Sequence, residues 1–308
     1  MTRWQPDADA EALRTRARTL AIVRGFMAER GILEVNTPVI TAAGVTEPQI
    51  ESLALTDEQG WLRTSPEYAH KRLLAAGIGD LYEIGPVFRS GEHGRLHRQE
   101  FTLLEWYRVG HGWQQLADET LDLITACTPA SQRAWQIRRL SWSSLFQQHA
   151  GFDPLTAPET AGELTQAELP EDCDISMRLD YLFTRHIQPA FPPDQLTVVH
   201  GYPATQAALA CLDPADPRLA CRFEIFAGPL ELANGYQELT DPAEQRQRFE
   251  RDNLRRRALG RPVMPIDEGL LAAMQHGLPP CAGVALGIER LLMATGNARQ
   301  ISQVMAFS

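Results

Sequence analysis

The chain has 308 residues, of which 44% are hydrophobic, and a formal net charge of −10 at pH 7. No apolar stretch approaches the roughly 20 residues of a membrane span, and the start of the chain lacks the apolar core of a signal peptide. The acidic balance disfavours broad attraction to a phosphate backbone, and the five scattered cysteines form no CxxC pair. We therefore expect one soluble, cytoplasmic domain over residues 1–308, with reduced thiols and without stable tRNA binding.

Apolar residues recur at three- and four-residue spacing between Glu11 and Arg30, which predicts an amphipathic helix. Gly31 supplies the expected helix stop, because glycine readily adopts the left-handed conformation that ends helices. Residues 32–35 then predict a short strand, and Pro38 marks its exit, since proline cannot donate to a β-ladder. The first segment is thus predicted as helix, glycine, strand and proline.

A long-looped antiparallel hairpin is predicted next, with strands over residues 81–89 and 100–108. Because side chains alternate along a strand, every second residue of the returning strand shares one face. That face carries Phe101, Leu103, Glu105 and Tyr107. A carboxylate and a phenol are therefore predicted to line a common surface.

The rest of the pattern mixes helices with mostly antiparallel strands, which places the chain in the α+β class. A helix is predicted over residues 114–130, and a second hairpin over 222–236. A polar helix over 242–259 precedes a final strand and helix within 283–296. Residues 131–220 look mixed and carry no element prediction.

The second hairpin contains a possible metal site. A turn centred between Ala227 and Gly228 would set Glu224 opposite Glu231 on the same face. Opposed like charges destabilise a strand pair, and a cation between them relieves the repulsion. Hard carboxylate ligands favour Mg²⁺ shared with nucleotide phosphates, so a magnesium site is predicted here. Either glutamate facing water would explain the pair equally well from geometry alone.

Two further segments suit nucleotide binding. Arg89 ends the first strand of the long hairpin and Phe101 follows its loop; a planar guanidinium suits phosphate, and an aromatic ring can stack on a purine. Small residues from Gly283 to Gly287 lead into a helix that bears Arg290, a second candidate for phosphate. A surface arginine beside a core phenylalanine, and a plain close-packed strand-to-helix junction, are the alternative interpretations.

Taken together and in this order, these segments resemble the three signature motifs of class II aminoacyl-tRNA synthetases. Residues 31–38 resemble motif 1, residues 88–101 motif 2, and residues 283–290 motif 3. Further similarity to the lysyl branch of this class lies in residues 64–68, 71–73, 104–107 and 231–241. The resemblance spans residues 20–308, patchily between 131 and 195.

Residues 202–209 and 284–308 resemble a truncated branch of this family, the ligases that attach β-lysine to elongation factor P. Motif 1 begins almost at the first residue, so we expect no anticodon-binding barrel. Ala285 stands where lysyl synthetases carry glycine, and one extra methyl in an amino-acid pocket can alter which positional isomer fits. The resemblance implies ATP as substrate with Mg²⁺, β-lysine or lysine as the amino acid, elongation factor P as the acceptor, and a homodimer through motif 1.

The resemblance also implies the site residues. Arg89 and Arg290 are expected to be catalytic, with Arg89 on the α-phosphate, Phe101 and Arg290 enclosing adenine, and Glu224 with Glu231 holding Mg²⁺. The expected contacts to the amino acid come from Ser65, Pro66, Glu67, Glu105, Tyr107, Asn234, Glu238 and Ala285. The expected contacts to ATP come from Arg89, Ser90, Gly91, Glu92, Arg98, Phe101, Glu231, Leu232, Gly287 and Arg290.

The motif 2 loop departs from the family pattern. Residues 90–92 read Ser-Gly-Glu in place of Asn-Glu, and residues 98–99 read Arg-Gln in place of Asn-Pro, which leaves the adenine contacts there open. Two other functions also stay open: a minimal synthetase that charges tRNA, and a synthetase-like regulatory subunit without turnover. Six arginines between Arg246 and Arg257 crowd one helix, where a solvated face is the ordinary interpretation and contact with the protein acceptor is the alternative.

Overall fold

A computed structural model describes residues 4–56, 60–132, 134–166, 168–170, 173–296 and 298–308. Its strands are β1 (Leu33–Glu34), β2 (Ile40–Thr41), β3 (Trp61–Leu62), β4 (Leu81–Phe88), β5 (Glu100–Val109), β6 (Gln136–Ser141), β7 (Gln195–Pro203), β8 (Leu219–Ala227), β9 (Leu230–Gln237) and β10 (Cys281–Gly287). Its helices are α1 (Ala10–Glu29), α2 (Glu67–Ala75), α3 (Trp113–Cys127), α4 (Trp142–Ala150), α5 (Thr160–Thr165), α6 (Ile175–Leu182), α7 (Pro242–Ala258), α8 (Glu268–Gly277) and α9 (Ile288–Gly296). Within the described ranges, no helix is both long and apolar enough to cross a membrane.

Eight strands form one sheet in the order β1-β4-β5-β10-β9-β8-β7-β6. The β1–β4 and β6–β7 pairs at its two ends are parallel, and the pairs between them are antiparallel. Strands β2 and β3 pair separately as a two-stranded sheet. The predicted α+β class, a mostly antiparallel sheet flanked by helices, is confirmed.

Helix α1 begins and ends close to the predicted positions. Asp9 caps it by accepting a hydrogen bond from the Ala12 amide at 2.8 Å. Gly31 follows the last turn with φ of +68°, the left-handed conformation expected of a glycine stop. The strand predicted for residues 32–35 is shorter in the structure, where β1 covers residues 33 and 34 only.

The central strands bury one face in the main core and turn the other face toward a cavity. Helices α1, α3 and α9 pack on the face that carries Leu104, Trp106 and Val284. The alternate residues of β5, which the sequence analysis placed on a common surface, all line the cavity: Phe101, Leu103, Glu105 and Tyr107. Strand alternation therefore assigns β5 correctly to a core face and a site face.

Most of the segment without an element prediction, residues 134–220, surrounds an aromatic cluster at the far end of the sheet. The Trp142 ring stacks on Phe183 with centroids 4.5 Å apart, and the Trp142 and Tyr202 centroids are 4.6 Å apart. These rings come from α4, the turn after α6, and β7. No local period brings them together, because their packing joins residues that are up to 60 positions apart in the chain.

The register predicted for the second hairpin is wrong. The turn consists of Gly228 and Pro229, so its centre lies one residue later than predicted, and Ala227 pairs with Leu230. A bulge between Ile225 and Phe226 shifts the register again. As a result, Glu224 lies opposite Asn234, and Glu231 lies opposite Phe226.

Two of the arginines of helix α7 are buried and not exposed to solvent. The Arg256 side chain is fully buried and donates to the Glu47 carbonyl at 3.1 Å. Arg248 is also buried and donates to the carbonyls of Ala208 and Ala210, both at 2.7 Å. A solvated face is therefore the wrong interpretation for these two residues, because each guanidinium satisfies carbonyl groups that would otherwise lack donors.

Candidate active site

A cavity of about 1320 Å³ lies over β5, β9 and β10 and is closed by residues from α2, α7 and two loops, 37–52 and 89–101. It brings together most of the residues that the motif resemblance implied: Ser65, Pro66, Glu67, Arg89, Glu92, Arg98, Phe101, Glu105, Tyr107, Glu231, Leu232, Asn234, Glu238, Ala285, Gly287 and Arg290. The structure does not bring Ser90, Gly91 or Glu224 to this wall. The residues expected to bind the amino acid and those expected to bind ATP thus share one continuous space.

Strand register fixes the floor at the amino-acid end. Ala285 of β10 lies opposite Glu105 of β5 on one side and opposite Asn234 of β9 on the other. These three side chains therefore form one row across the sheet. In the neighbouring row Gly283 lies opposite Tyr107, and a Cβ on Gly283 would lie 2.3 Å from the Tyr107 ring. Only glycine leaves the phenol room at this position.

Glu105 is buried, and hydroxyl groups satisfy both of its oxygens. Ser65 Oγ donates to one oxygen at 2.7 Å, and Tyr107 Oη donates to the other at 2.8 Å. Burial raises the pKa of Glu105, and His70 nearby opposes that shift. A buried carboxylate in this state gains from a further cation, because an ammonium group stabilises its charged form.

A lysine from the protein itself lies between two of the other expected substrate carboxylates. Lys71 Nζ is 2.6 Å from Glu67 Oε1 and 2.6 Å from Glu238 Oε2. Burial alone would lower the pKa of Lys71, but the charges of Glu238 and Glu67 outweigh it and raise the pKa. The sequence analysis assigned no role to Lys71, although its four-residue spacing from Glu67 on a helix was an available signal.

At the nucleotide end, Arg89 lies against the aromatic ring that was expected to stack on adenine. The guanidinium carbon of Arg89 is 5.1 Å from the Phe101 ring centroid, within cation–π range. Glu92, in the loop that departs from the family pattern, is 3.6 Å from the same guanidinium. The one-residue displacement of this acid therefore still leaves it beside Arg89.

Arg290 is held from two sides. It donates to the Glu231 carbonyl at 3.1 Å and to the Glu231 carboxylate at 3.3 Å. Its other terminal nitrogen donates to His97 Nε2 at 2.7 Å, which places the His97 ring hydrogen on Nδ1. Burial and then the Arg290 charge lower the pKa of His97, which keeps this acceptor neutral. No role was predicted for His97 from the sequence, so this contact was missed.

Glu224 does not line the cavity, but it is paired with Arg222, which does. Arg222 Nη2 donates to Glu224 Oε1 at 2.5 Å, and the Arg222 guanidinium carbon lies 4.4 Å from the Tyr202 ring centroid. Burial is the main cause that raises the pKa of Glu224; Arg222 opposes it, and the Glu231 charge adds to it. The two glutamates are thus close enough for their charges to interact, although they are not a directly opposed pair. Among the residues with described positions, no set of three or more His, Cys, Asp or Glu side chains forms a metal site.

Comparison with known proteins gives consistent similarities over the whole chain. Residues 3–308 match the family described as tRNA synthetases class II (D, K and N). A Mannheimia succiniciproducens protein is 44% identical over 99% of this chain and 97% of its own length, and a Haemophilus influenzae protein is 43% identical over 100% and 98%. A Hamiltonella defensa protein is 44% identical over 99% and 97%. All three carry the name elongation factor P (R)-β-lysine ligase. The resemblance drawn from the sequence motifs is confirmed.

Proposed function

Because the chain belongs to the family of tRNA synthetases class II (D, K and N), we propose that it is an ATP-dependent ligase that activates (R)-β-lysine and transfers it to a lysine side chain of elongation factor P. The names of its relatives support the amino acid and the acceptor. The single observation that carries the proposal is the shared cavity. One wall presents Glu105 in a row with Asn234 and Ala285, and another presents Arg89 and Arg290.

In the first proposed step, the carboxylate of the amino acid attacks the α-phosphate of ATP and releases pyrophosphate. Arg89 binds the α-phosphate, because a guanidinium stabilises charge that develops on phosphate oxygens. Arg290 and Phe101 hold the adenine between them. Catalysis at this end consists of positioning and charge neutralisation, and no side chain forms a covalent intermediate.

The two carboxylates nearest the nucleotide end fit a magnesium ion. Glu231 lines the cavity and Glu224 lies close behind it, and Mg²⁺ is commonly held by one or two carboxylates together with substrate phosphates. Bound Mg²⁺ would neutralise charge on those phosphates. Arg222 already pairs with Glu224, so within the protein this carboxylate is orientated before nucleotide binds.

The amino-acid end offers carboxylates of two kinds. Glu67 and Glu238 share Lys71, whereas among the described residues the hydrogen bonds that Glu105 accepts come from hydroxyl groups. We therefore assign Glu105 as the main partner of one substrate ammonium group. The second ammonium group then meets the Glu67 and Glu238 side, where Lys71 has already neutralised part of the charge.

In the second proposed step, an ε-amino group of the acceptor attacks the carbonyl carbon of the adenylate. The amide bond forms, the bond to the phosphate oxygen breaks, and AMP leaves as the attacking nitrogen loses a proton. Residues 1–308 act as one catalytic domain in this proposal.

Mass spectrometry of elongation factor P tests the function. The protein is incubated with ATP, Mg²⁺ and either (R)-β-lysine or lysine, with elongation factor P and bulk tRNA offered together. We expect elongation factor P to gain one β-lysyl group and tRNA to stay uncharged, with Arg89→Ala as the inactive control. Charging of tRNA alone contradicts the acceptor, and a mass gain with lysine but none with β-lysine contradicts the role of Ala285. Absence of ATP–pyrophosphate exchange with either amino acid would favour a regulatory subunit instead.

A homodimer is also proposed, through the motif 1 edge of the sheet. Leu33 of β1 and Ile22 of α1 are exposed there, and β1 ends the strand order of the sheet. We expect Leu33→Asp to yield a monomer in light scattering. Ile137→Asp is the matched control, because Ile137 is equally exposed, at 51%, on β6 at the opposite end. An unchanged mass for Leu33→Asp, or a monomeric wild-type protein, contradicts this interface.

A further inference from the structure

His70 lies between two carboxylates that belong to neighbouring strands. Glu83 of β4 and Glu105 of β5 are directly opposite in the strand register. The His70 ring comes from α2 and is fully buried. Its Nε2 is 3.1 Å from Glu83 Oε2, and its Nδ1 is 3.7 Å from Glu105 Oε1. Two acids are therefore directly opposed here, and a histidine lies between them.

Glu83 is ionised and can only accept hydrogen bonds. Arg63 Nη1 donates to it at 2.6 Å, and the amide and hydroxyl of Thr37 donate at 3.1 Å and 2.7 Å. Burial opposes ionisation of Glu83, but the bonds from His70, Thr37 and Arg63 outweigh it and hold the pKa at about 2. Because this acceptor carries no hydrogen, His70 Nε2 must carry one and donate it.

The second ring nitrogen then decides the charge of His70. Nδ1 is buried and has no hydrogen-bond partner, and the nearest acidic atom is Glu105 Oε1. A neutral ring would turn a lone pair toward that oxygen, which already accepts from Tyr107. A ring with hydrogens on both nitrogens turns a donor toward it instead and places a positive charge between the two acids.

We propose that His70 is a positively charged positioning residue, which bridges Glu83 to Glu105 and keeps Glu105 ionised and orientated for the substrate ammonium group. The inference rests on the proposed function for its consequence, but the charge of His70 is a property of the ligand-free protein. Glu83 acts as the anchor, since Thr37 of motif 1 and Arg63 fix it from behind. A rigid chain of contacts thus runs from motif 1 to the amino-acid site.

The charged and titratable groups near this ring lie on β4, β5 and α2 or directly follow β3 and β9. The ring also meets the Tyr107 ring edge to face, with centroids 5.5 Å apart. The groups that set its electrostatic environment are Arg63, Glu67, Lys71, Glu83, Glu105, Tyr107 and Glu238. A change in Glu105 binding with pH therefore has to be compared with a variant that removes only the His70 charge.

The ligand-free protein tests the charge directly. Nitrogen-15 NMR of histidine-labelled protein distinguishes a ring with two N–H groups from a neutral ring, and His70→Gln identifies which signal belongs to His70. We expect both His70 nitrogens to give protonated signals at pH 7. A signal from one unprotonated nitrogen overturns the inference. This measurement needs no activity, so it stands even if no amino acid supports turnover.

Kinetics of His70→Gln test the positioning role. Glutamine fills similar space and can donate to Glu83, but it carries no charge. We expect the KM for the amino acid to rise by roughly 10-fold to 100-fold, as for loss of one charged contact, with kcat and the KM for ATP within about 3-fold of wild type. Loss of the positive charge also moves the acid limb of the amino-acid KM profile to higher pH, because Glu105 becomes harder to ionise.

His200→Gln is the matched control, since His200 of β7 is partly buried and does not line the cavity. It should leave the KM and its pH profile unchanged. An unchanged amino-acid KM and acid limb in folded His70→Gln, or an equal change in His200→Gln, overturns the positioning role. If His70→Gln does not fold, His70→Lys, which removes the ring but restores a positive charge, identifies the wild-type His70 signal by its loss. It also decides the role, because an amino-acid KM near that of wild type supports the proposal and a raised KM overturns it.

Discussion

The two ends of the cavity hold their charged side chains in different ways. At the amino-acid end, Lys71 and Glu105 expose only 1% and 3% of their side chains, and protein groups already contact both. At the nucleotide end, Arg89 and Arg290 expose 27% and 23%, and their partners are half-exposed acids and a histidine. The buried end is therefore organised by protein contacts alone, whereas the proposed contacts of the two arginines with phosphate require them to exchange protein partners.

Removal of the buried Lys71 side chain should destabilise the amino-acid end of the cavity more than any other substitution considered. Lys71→Met leaves Glu67 and Glu238 buried without their shared cation. We expect the free energy of unfolding to fall by about 3–5 kcal/mol, measured by urea denaturation, because an uncompensated buried charge is strongly destabilising. Arg246→Met, which breaks an exposed pair with Glu268, is the control and should leave the free energy of unfolding nearly unchanged, because exposed ion pairs contribute little. Equal losses for the two variants would contradict the comparison.

The contribution of Glu83, at the amino-acid end, to the free energy of unfolding should depend on pH. The pKa of Glu83 is lowered to about 2 in the folded protein, from an ordinary value of 4.5, so it contributes stability above pH 4.5 that is lost as pH falls toward 2. Above pH 5 this contribution is about 3 kcal/mol. We expect Glu83→Gln to abolish it, so that the gap in unfolding free energy between wild type and variant shrinks from pH 6 to pH 3. Glu100→Gln, on an exposed position, should leave the slope unchanged.

A single methyl group should disturb the floor of the amino-acid end. Gly283→Ala places a Cβ 2.3 Å from the Tyr107 ring and 2.6 Å from Glu238 Oε1, so both side chains have to move. We expect the amino-acid KM to rise about 100-fold, as for a displaced positioning group, with the ATP KM little changed. Gly25→Ala on α1 meets no atom within 4 Å and is the control. A normal amino-acid KM in Gly283→Ala would show that the row next to Ala285 does not bind substrate.

A conservative substitution of Arg290 should be enough to weaken ATP binding. Arg290→Lys keeps the charge but loses the planar fork that donates to Glu231 and His97 at once. We expect the KM for ATP to rise about 10-fold while the amino-acid KM stays the same. Arg299→Lys, an exposed arginine at the end of the chain, is the control. A change in the amino-acid KM instead would show that the two ends are not separate.

The smallest expected effect concerns the methyl group of Ala285. Ala285→Gly widens the row between Glu105 and Asn234, and one methyl in such a pocket is worth about 1–3 kcal/mol of discrimination. We expect the preference for β-lysine over lysine to fall about 10-fold in ATP–pyrophosphate exchange. A stronger preference for β-lysine in the variant would contradict this role.

Sequence patterns were sufficient for the site face of β5, because alternation requires no knowledge of distant contacts. Phe101 and Glu105 could be placed on one surface from their spacing alone. The register of Glu224 could not, since a turn centred one residue later than predicted moves its partner by two positions and the bulge moves it by one more. Arg89 and Arg290 were candidates for phosphate from their positions in the chain, but only the family motifs distinguished them from ordinary surface arginines.

Other features depend on contacts that no local pattern contains. Burial of Arg248 could not be predicted, because its acceptors are carbonyl groups about 40 residues earlier in the chain. His70 has a similar difficulty: its two partners lie on β4 and β5, and they face each other only once the sheet has formed. Sequence reasoning succeeded where one strand or one family motif was enough, and it failed where three elements meet.

Arg256 joins the cavity loop at residues 47–51 to helix α7. Its guanidinium joins the carbonyls of Glu47 and Ile50 and the Glu51 carboxylate to the end of α7, with a further bond to the Pro262 carbonyl. These hydrogen bonds connect the loop directly to the helix. A displacement of residues 47–51 is therefore expected to displace the end of α7 with it.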